Sequence, residues 1–151
     1  MLGLDVGTRR IGVALSNALG IAQPLLTIQR TQPRRDQRSI LRLARRHGCA
    51  GIVVGNPLHL SGDSSRQTER IHRFVDELKT LIAESGHASL PVHLCDERLS
   101  TSEAHAALEA TGRNPAERDA RRRIVDQAAA AIILQGWLDA QRGIVTLLPE
   151  P

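Results

Sequence analysis

Leu2-Gly3-Leu4-Asp5-Val6-Gly7-Thr8-Arg9-Arg10-Ile11-Gly12-Val13-Ala14-Leu15-Ser16 is the stretch on which the fold turns. Two apolar runs flank Gly7-Thr8-Arg9-Arg10, so it reads as a β-hairpin with strands over about 2–7 and 10–16. The first strand carries one ionisable side chain, Asp5, at its centre. An unpaired buried carboxylate is costly or stays protonated. A charge in that place has a partner, and for an aspartate the partner is often a metal ion. The question for the rest of the chain is which other carboxylates can meet it.

Outward from the hairpin, Leu25-Leu26-Thr27-Ile28, between Pro24 and Arg30, supplies a third strand. Pro33 suits the first position of a helix, predicted over 33–47. One face of that helix carries Ile40, Leu43, Ala44 and His47, and the other Arg34, Arg38, Arg42 and Arg45. The continuous apolar run from Ala50 to Val54 fits an interior parallel strand. A polar loop over 55–63 follows. Ser64 and Gln67 have capping-box spacing, and Ile71, Phe74, Val75, Leu78 and Ile82 repeat at helical period. Residues 91–95 read as a strand, and Ser100 to Glu103 as a second capping box opening a helix that ends near Gly112. Residues 113–121 lack apolar period and read as a mobile loop, followed by a last helix over about 122–141. The order β-β-β-α-β-α-β-α-α describes an α/β fold, a mixed five-stranded central sheet with helices on both faces. It fits one domain over 1–141 with a short tail over 142–151.

The bulk properties narrow the function. At 151 residues with 41% hydrophobic and 24% charged residues, the composition is that of a globular domain. No apolar run reaches the roughly 18 residues of a membrane span, and the N-terminus enters a strand directly, leaving no room for a signal peptide. Cys49 and Cys95 lack ligand spacing and read as buried, reduced thiols of a cytoplasmic protein. The net charge of +4 favours a polyanionic partner weakly. Phe74 and Trp137 are the aromatic residues, which argues against a binder that stacks successive bases on aromatic platforms. Contacts to nucleic acid would run mainly through phosphates.

Three acids distant in sequence are placed to converge. Asp5 lies in the first strand. Asp96 and Glu97 follow the strand 91–95 at its carboxyl end, where open α/β sheets bind ligands. Asp126 lies early in the last helix, where the small side chains of Ala128 to Ala131 allow close approach to a sheet. Such an arrangement suits phosphodiester hydrolysis with two Mg²⁺ or Mn²⁺ ions held by hard oxygen ligands. Taken singly, Asp126 also fits an acid complementing a helix dipole beside Arg122 and Arg123, and Asp96 and Glu97 fit loop acids paired with Arg98. The six histidines have no ligand spacing, and Ser61, Ser64 and Ser65 have no visible base.

Four ordered motifs carry a family resemblance: Asp5 to Ser16, Val53-Val54-Gly55-Asn56-Pro57-Leu58, Asp96-Glu97-Arg98-Leu99-Ser100-Thr101 and Asp126 to Gln135. Together they resemble the YqgF family, also called RuvX, whose fold is RNase H-like and which is related to the RuvC resolvases. The resemblance implies that Asp5, Glu97 and Asp126 are the catalytic, metal-binding acids, supported by Asp96, with Gly7, Thr8 and Arg9 shaping the hairpin beside them. It also implies a hydrolase maturing the 5′ end of pre-16S ribosomal RNA, with a Holliday-junction resolvase as the alternative. Ser16-Asn17 stands where relatives carry Ser-Asp. Asn56 replaces a typical Leu, and Ser61 a common Asp.

Arg9, Arg10, Arg98, Arg122 and Arg123 adjoin the acids in sequence and could hold flanking phosphates of structured RNA or branched DNA. A resolvase cutting two strands symmetrically would need a dimer, and the expectation is a monomer or weak homodimer. Two other classes compete. Asp5-Val6-Gly7-Thr8 also resembles the phosphate loop of actin-like and sugar-kinase ATPases, but those clamp a nucleotide between two such domains and this chain has one. A nucleic-acid-binding module with vestigial acids is the third, and the presence of all three acids argues against it.

Overall fold

Alternation along the hairpin separates two layers of structure. The computed structural model describes residues 1–57, 63–86, 90–97 and 114–143. Strands β1 (Leu2–Val6) and β2 (Arg10–Ser16) pair antiparallel, with Leu4 opposite Val13 and Asp5 opposite Gly12. Leu2, Leu4, Val6, Ile11 and Val13 project to one side and are buried there. Gly3, Asp5, Gly12 and Ala14 belong to the other.

Strand β3 (Ala22–Gln29) pairs with β2, and β4 (Ile52–Pro57) and β5 (Val92–Glu97) run parallel to β1. The sheet order is β3-β2-β1-β4-β5, so Asp5 stands on the central strand. Pro24, which cannot donate to a ladder, sits on the edge strand β3 beside an irregularity at Val13/Ala14. β3 and β5 are longer than the apolar runs predict, because hydrogen bonding continues into polar ends. Asp96 and Glu97 thus close β5 itself, where the sequence placed them just beyond a strand ending at residue 95.

Helices α1 (Pro33–Arg46) and α2 (Asp63–Glu84) cover the Leu4 side. α1 buries Ile40, Leu41 and Ala44, whereas the predicted His47 is exposed. The Asp36 carboxylate, buried in the first turn of α1, accepts from the Thr31 amide at 3.2 Å and lies 3.5 Å from Arg30 Nε. α2 adds Ile71, Phe74, Val75, Leu78 and Ile82 to the same core, as their helical period requires. Cys49 is half-buried beside this core, and burial pushes its thiol up, partly offset by the N-terminal ammonium.

Helix α3 (Pro115–Gln141) covers the opposite side. It starts seven residues earlier than the mobile loop over 113–121 allowed. Asn114 accepts from the Glu117 amide at 2.8 Å and Pro115 takes the first helical position, two start signals that apolar periodicity does not register. Its first turn is exposed and the next only half-buried, so they need no apolar stripe. The predicted helix over 100–112 and the tail from 144 lie outside the described residues.

Candidate active site

Gly12 explains how a helix brings a carboxylate to the middle of a sheet. A Cβ on Gly12 would overlap the Asp126 carbonyl oxygen, and it would stand 3.0 Å from Asp126 Cβ. A Cβ on Gly3 would lie 2.6 Å from Leu134 Cβ. Ala129 and Ala130, both buried, complete the contact from the helix side. Small residues on both partners therefore let α3 rest against the β1–β2 backbone.

Gly12 is also the register partner of Asp5. Directly opposed residues of an antiparallel pair have Cβ atoms about 4.5–5.5 Å apart, so Asp126 Cβ lies within about 8.5 Å of Asp5 Cβ. Asp5 and Asp126 thus share one face of the sheet, although 121 positions separate them in sequence. Asp5 is half-buried, less than the strand pattern predicts, while Asp126 is only 7% exposed. Arg10 Nε donates to Asp126 Oδ2 at 2.7 Å. That bond compensates the buried carboxylate.

The remaining predicted residues divide by position. The Gly7 amide donates to the Arg10 carbonyl at 2.9 Å, and a Cβ at Gly7 would stand 2.8 Å from that oxygen, so the turn admits no side chain there. Thr8, Arg9, Arg10, Arg122 and Asp126 line a cleft of about 310 Å³. Among the described lining residues, three guanidinium groups stand against one carboxylate, which Arg10 already neutralises, so the excess positive charge favours phosphate. Arg123 is not among the described lining residues; its Nε lies 3.2 Å from Asp119 Oδ2 and its carbonyl accepts from Thr27.

On β5, His93 packs its ring 4.8 Å from that of Trp137 on α3, and Cys95 Sγ donates to the Ile133 carbonyl at 3.7 Å. Position 97 has their parity along the strand, while Asp96 has that of Val92, which packs on the α1–α2 side. Asp96 is exposed there. The Glu97 side chain and Arg98 lie outside the described residues. Among the described residues no group of three His, Cys, Asp or Glu stands close enough to hold a metal ion. Asp5 and Asp126 nevertheless offer hard carboxylate oxygens on one face, the donor type that Mg²⁺ and Mn²⁺ take. Gly12 itself went unnoticed in the sequence; its signal is a glycine inside a strand, which marks close backbone approach.

The profile of the family described as RuvX, Holliday junction resolvase, matches residues 1–140. The chain belongs to this family. A RuvX relative from Chloroflexus aurantiacus, named as a candidate pre-16S rRNA nuclease, is 43% identical over 143 residues, covering 94% of this chain and 88% of that protein. A Moorella thermoacetica protein of the same name is 44% identical over 148 residues, covering 95% and 99%. Among solved structures, RuvC from T. thermophilus in complex with Holliday junction substrate superposes with a TM-score of 0.52 at 16% identity, covering 95% of this chain and 96% of that one. That likeness establishes the RNase H-like fold. As a RuvX-family member the chain is a hydrolase acting on nucleic acid.

Proposed function

We propose that this protein is a divalent-metal-dependent endonuclease of the cytoplasm that processes the 5′ end of pre-16S ribosomal RNA. The observation that carries the proposal is the seating of Asp126 over Gly12, beside Asp5 and below a cleft lined by Arg9, Arg10 and Arg122. Asp5, Asp126 and Glu97 would hold the ions; Asp96, which the sequence placed in support, has the parity of the opposite face of β5 and takes no part. When bound, Mg²⁺ or Mn²⁺ activates water and stabilises charge on the leaving oxygen.

The chain's own residues account for the rest. Asp5, on the central strand, is fixed by the sheet rather than by a loop. Arg10 holds the Asp126 carboxylate in place, and Arg9 and Arg122 present guanidinium groups to the phosphates on either side of the scissile bond. Thr8 offers a hydroxyl at the cleft mouth. The choice of ribosomal RNA rests on the relatives' names.

The test is cleavage of a pre-16S RNA leader with Mg²⁺ or Mn²⁺. The Asp5→Asn variant is expected to lose on the order of 10³-fold in rate, the scale of removing a principal charge-stabilising group. Parent-like cleavage by Asp5→Asn would refute the mechanism.

A resolvase is the second reading, favoured by the family's description. Ile124 and Ile132 on α3 are 64% and 62% exposed, with exposed Ala128 between them. That apolar stripe suits the two-fold pairing that symmetric incision demands. Solution mass measured with and without a four-way junction separates the readings: a dimer on the junction supports the resolvase, a monomer in both removes it.

A further inference from the structure

The β1–β2 turn has a second side. Val6, Gly7 and Thr8 also border a cleft of about 180 Å³ that opens toward α1 and α2, away from Asp126. Gln67, Arg70, Ile71, Arg73 and Phe74 line it from successive turns of α2. Its floor is apolar, from Val6, Ile71 and Phe74, and its rim is basic. Sites for whole drug-sized ligands run to roughly 300–1,000 Å³, so this one suits a single ring system.

Two features select the ring. Arg30 is fixed at the wall: its Nη1 donates to the Gly7 carbonyl at 2.8 Å, and its guanidinium carbon stands 5.7 Å from the centre of the Phe74 ring. Asp36 balances its charge. A guanidinium plane held in this way is a stacking partner for an unstacked base. The side chains of Arg70 and Arg73, both exposed, enter no hydrogen bond or ion pair with another described residue, and Glu77 is the one acid among the described lining residues.

We propose that this cleft receives one unpaired nucleotide of the substrate, with its base on the apolar floor and its phosphates on Arg70 and Arg73. The inference rests on the nuclease reading and adds to it: the hairpin turn separates the cutting side from a side that reads whether a base is unpaired. It gives the enzyme a means of choosing loops, bulges or branch points over continuous duplex.

The test uses three hairpin probes, each made as RNA and as DNA: one with a single unpaired nucleotide, one fully paired, and one with an abasic residue at the unpaired position. Binding to the full-length protein is followed with EDTA present so that no strand is cut. The parent is expected to prefer the unpaired probe over both others by about tenfold, within the range of one stacked base. In the Arg70→Ala/Arg73→Ala variant, whose changes lie on an exposed helix face, the preference over the fully paired probe should fall below about twofold while the melting temperature stays put. Equal binding of the three probes by the parent overturns the proposal. So does an equal loss of affinity for all three in the variant, which marks a general basic patch. Preference among RNA probes alone identifies a ribonucleotide site; preference in both series identifies the shared nucleotide chemistry. Metal-dependent cleavage is run in parallel. Cleavage without preference removes the cleft and leaves the nuclease, and preference without cleavage does the reverse.

Discussion

The two faces of the sheet are built from the same strands and do opposite work. On the α1–α2 side, Leu2, Leu4, Val13, Ile52 and Val54 meet Ile40, Phe74 and Leu78 in a broad apolar core. On the α3 side the strands present Gly3, Asp5, Gly12 and Ala14, and among the described residues the buried apolar cluster shrinks to Ala14, Val53, Ala130, Ile133 and Leu134. One face gains its stability from volume. The other gives volume up so that a helix can come close enough to set a carboxylate beside Asp5. Stability and chemistry are therefore divided by the parity of a strand position, and substitutions one residue apart should fail in different ways.

The largest expected effect on stability comes from Leu4→Ala. Leu4 is fully buried, and the loss should be about 2–5 kcal/mol, read by urea unfolding. The fraction that stays folded should cleave at the parental rate. Next is Gly12→Val. The obstacle is the backbone carbonyl of Asp126 rather than a movable side chain, so the cost should reach about 3 kcal/mol, the upper end for overpacking. Here cleavage by the folded protein should collapse, and a Gly12→Val enzyme with normal turnover would break the comparison.

Arg10→Gln comes third. It removes a charged hydrogen bond whose partners retain 14% and 10% side-chain exposure, so about 1.5 kcal/mol is expected, the lower end for such bonds. Its signature is a KM for substrate that stays raised after correction for the small loss of folded protein. The smallest effect is Asn114→Ala, about 1 kcal/mol for a lost cap. Amide hydrogen exchange should show the first turn of α3 fraying while the turns around Asp126 keep their protection.

How legible these features are in sequence follows from their range. The apolar side was open to reading because Ile71, Phe74, Val75, Leu78 and Ile82 announce a helix by period alone, and the run Ile52-Val53-Val54 announces an interior strand. Asp5 stood out as a lone charge between apolar neighbours, and the small residues at 128–131 announced close packing. The other half of that contact, Gly12, was passed over because a strand glycine has many explanations until its cross-strand partner is known. The start of α3 was missed for a different reason: Asn114-Pro115 and Glu117 act through backbone hydrogen bonds, which leave no hydrophobic imprint. The Arg10–Asp126 bond could not be anticipated either, since the sequence offered Arg122 and Arg123 as nearer neighbours of that acid. Arg123 turned instead to Asp119, one helical turn away.

Helix α3 is tied to the edge strand β3 and the turn before it at several levels. Thr27 Oγ1 donates to the Arg123 carbonyl and accepts from Gln127 Nε2, Gln135 bridges the Ala22 amide and the Gly20 carbonyl, and Arg142 Nη2 donates to the Leu19 carbonyl. Sliding the helix by even one residue, about 1.5 Å along its axis, would break every one of these ties together. The depth of residue 126 is thereby gauged from both sides of its position, like a mark on a bolted ruler. Whatever docks against that carboxylate finds it already at its working height, and little ordering remains to be done when it arrives.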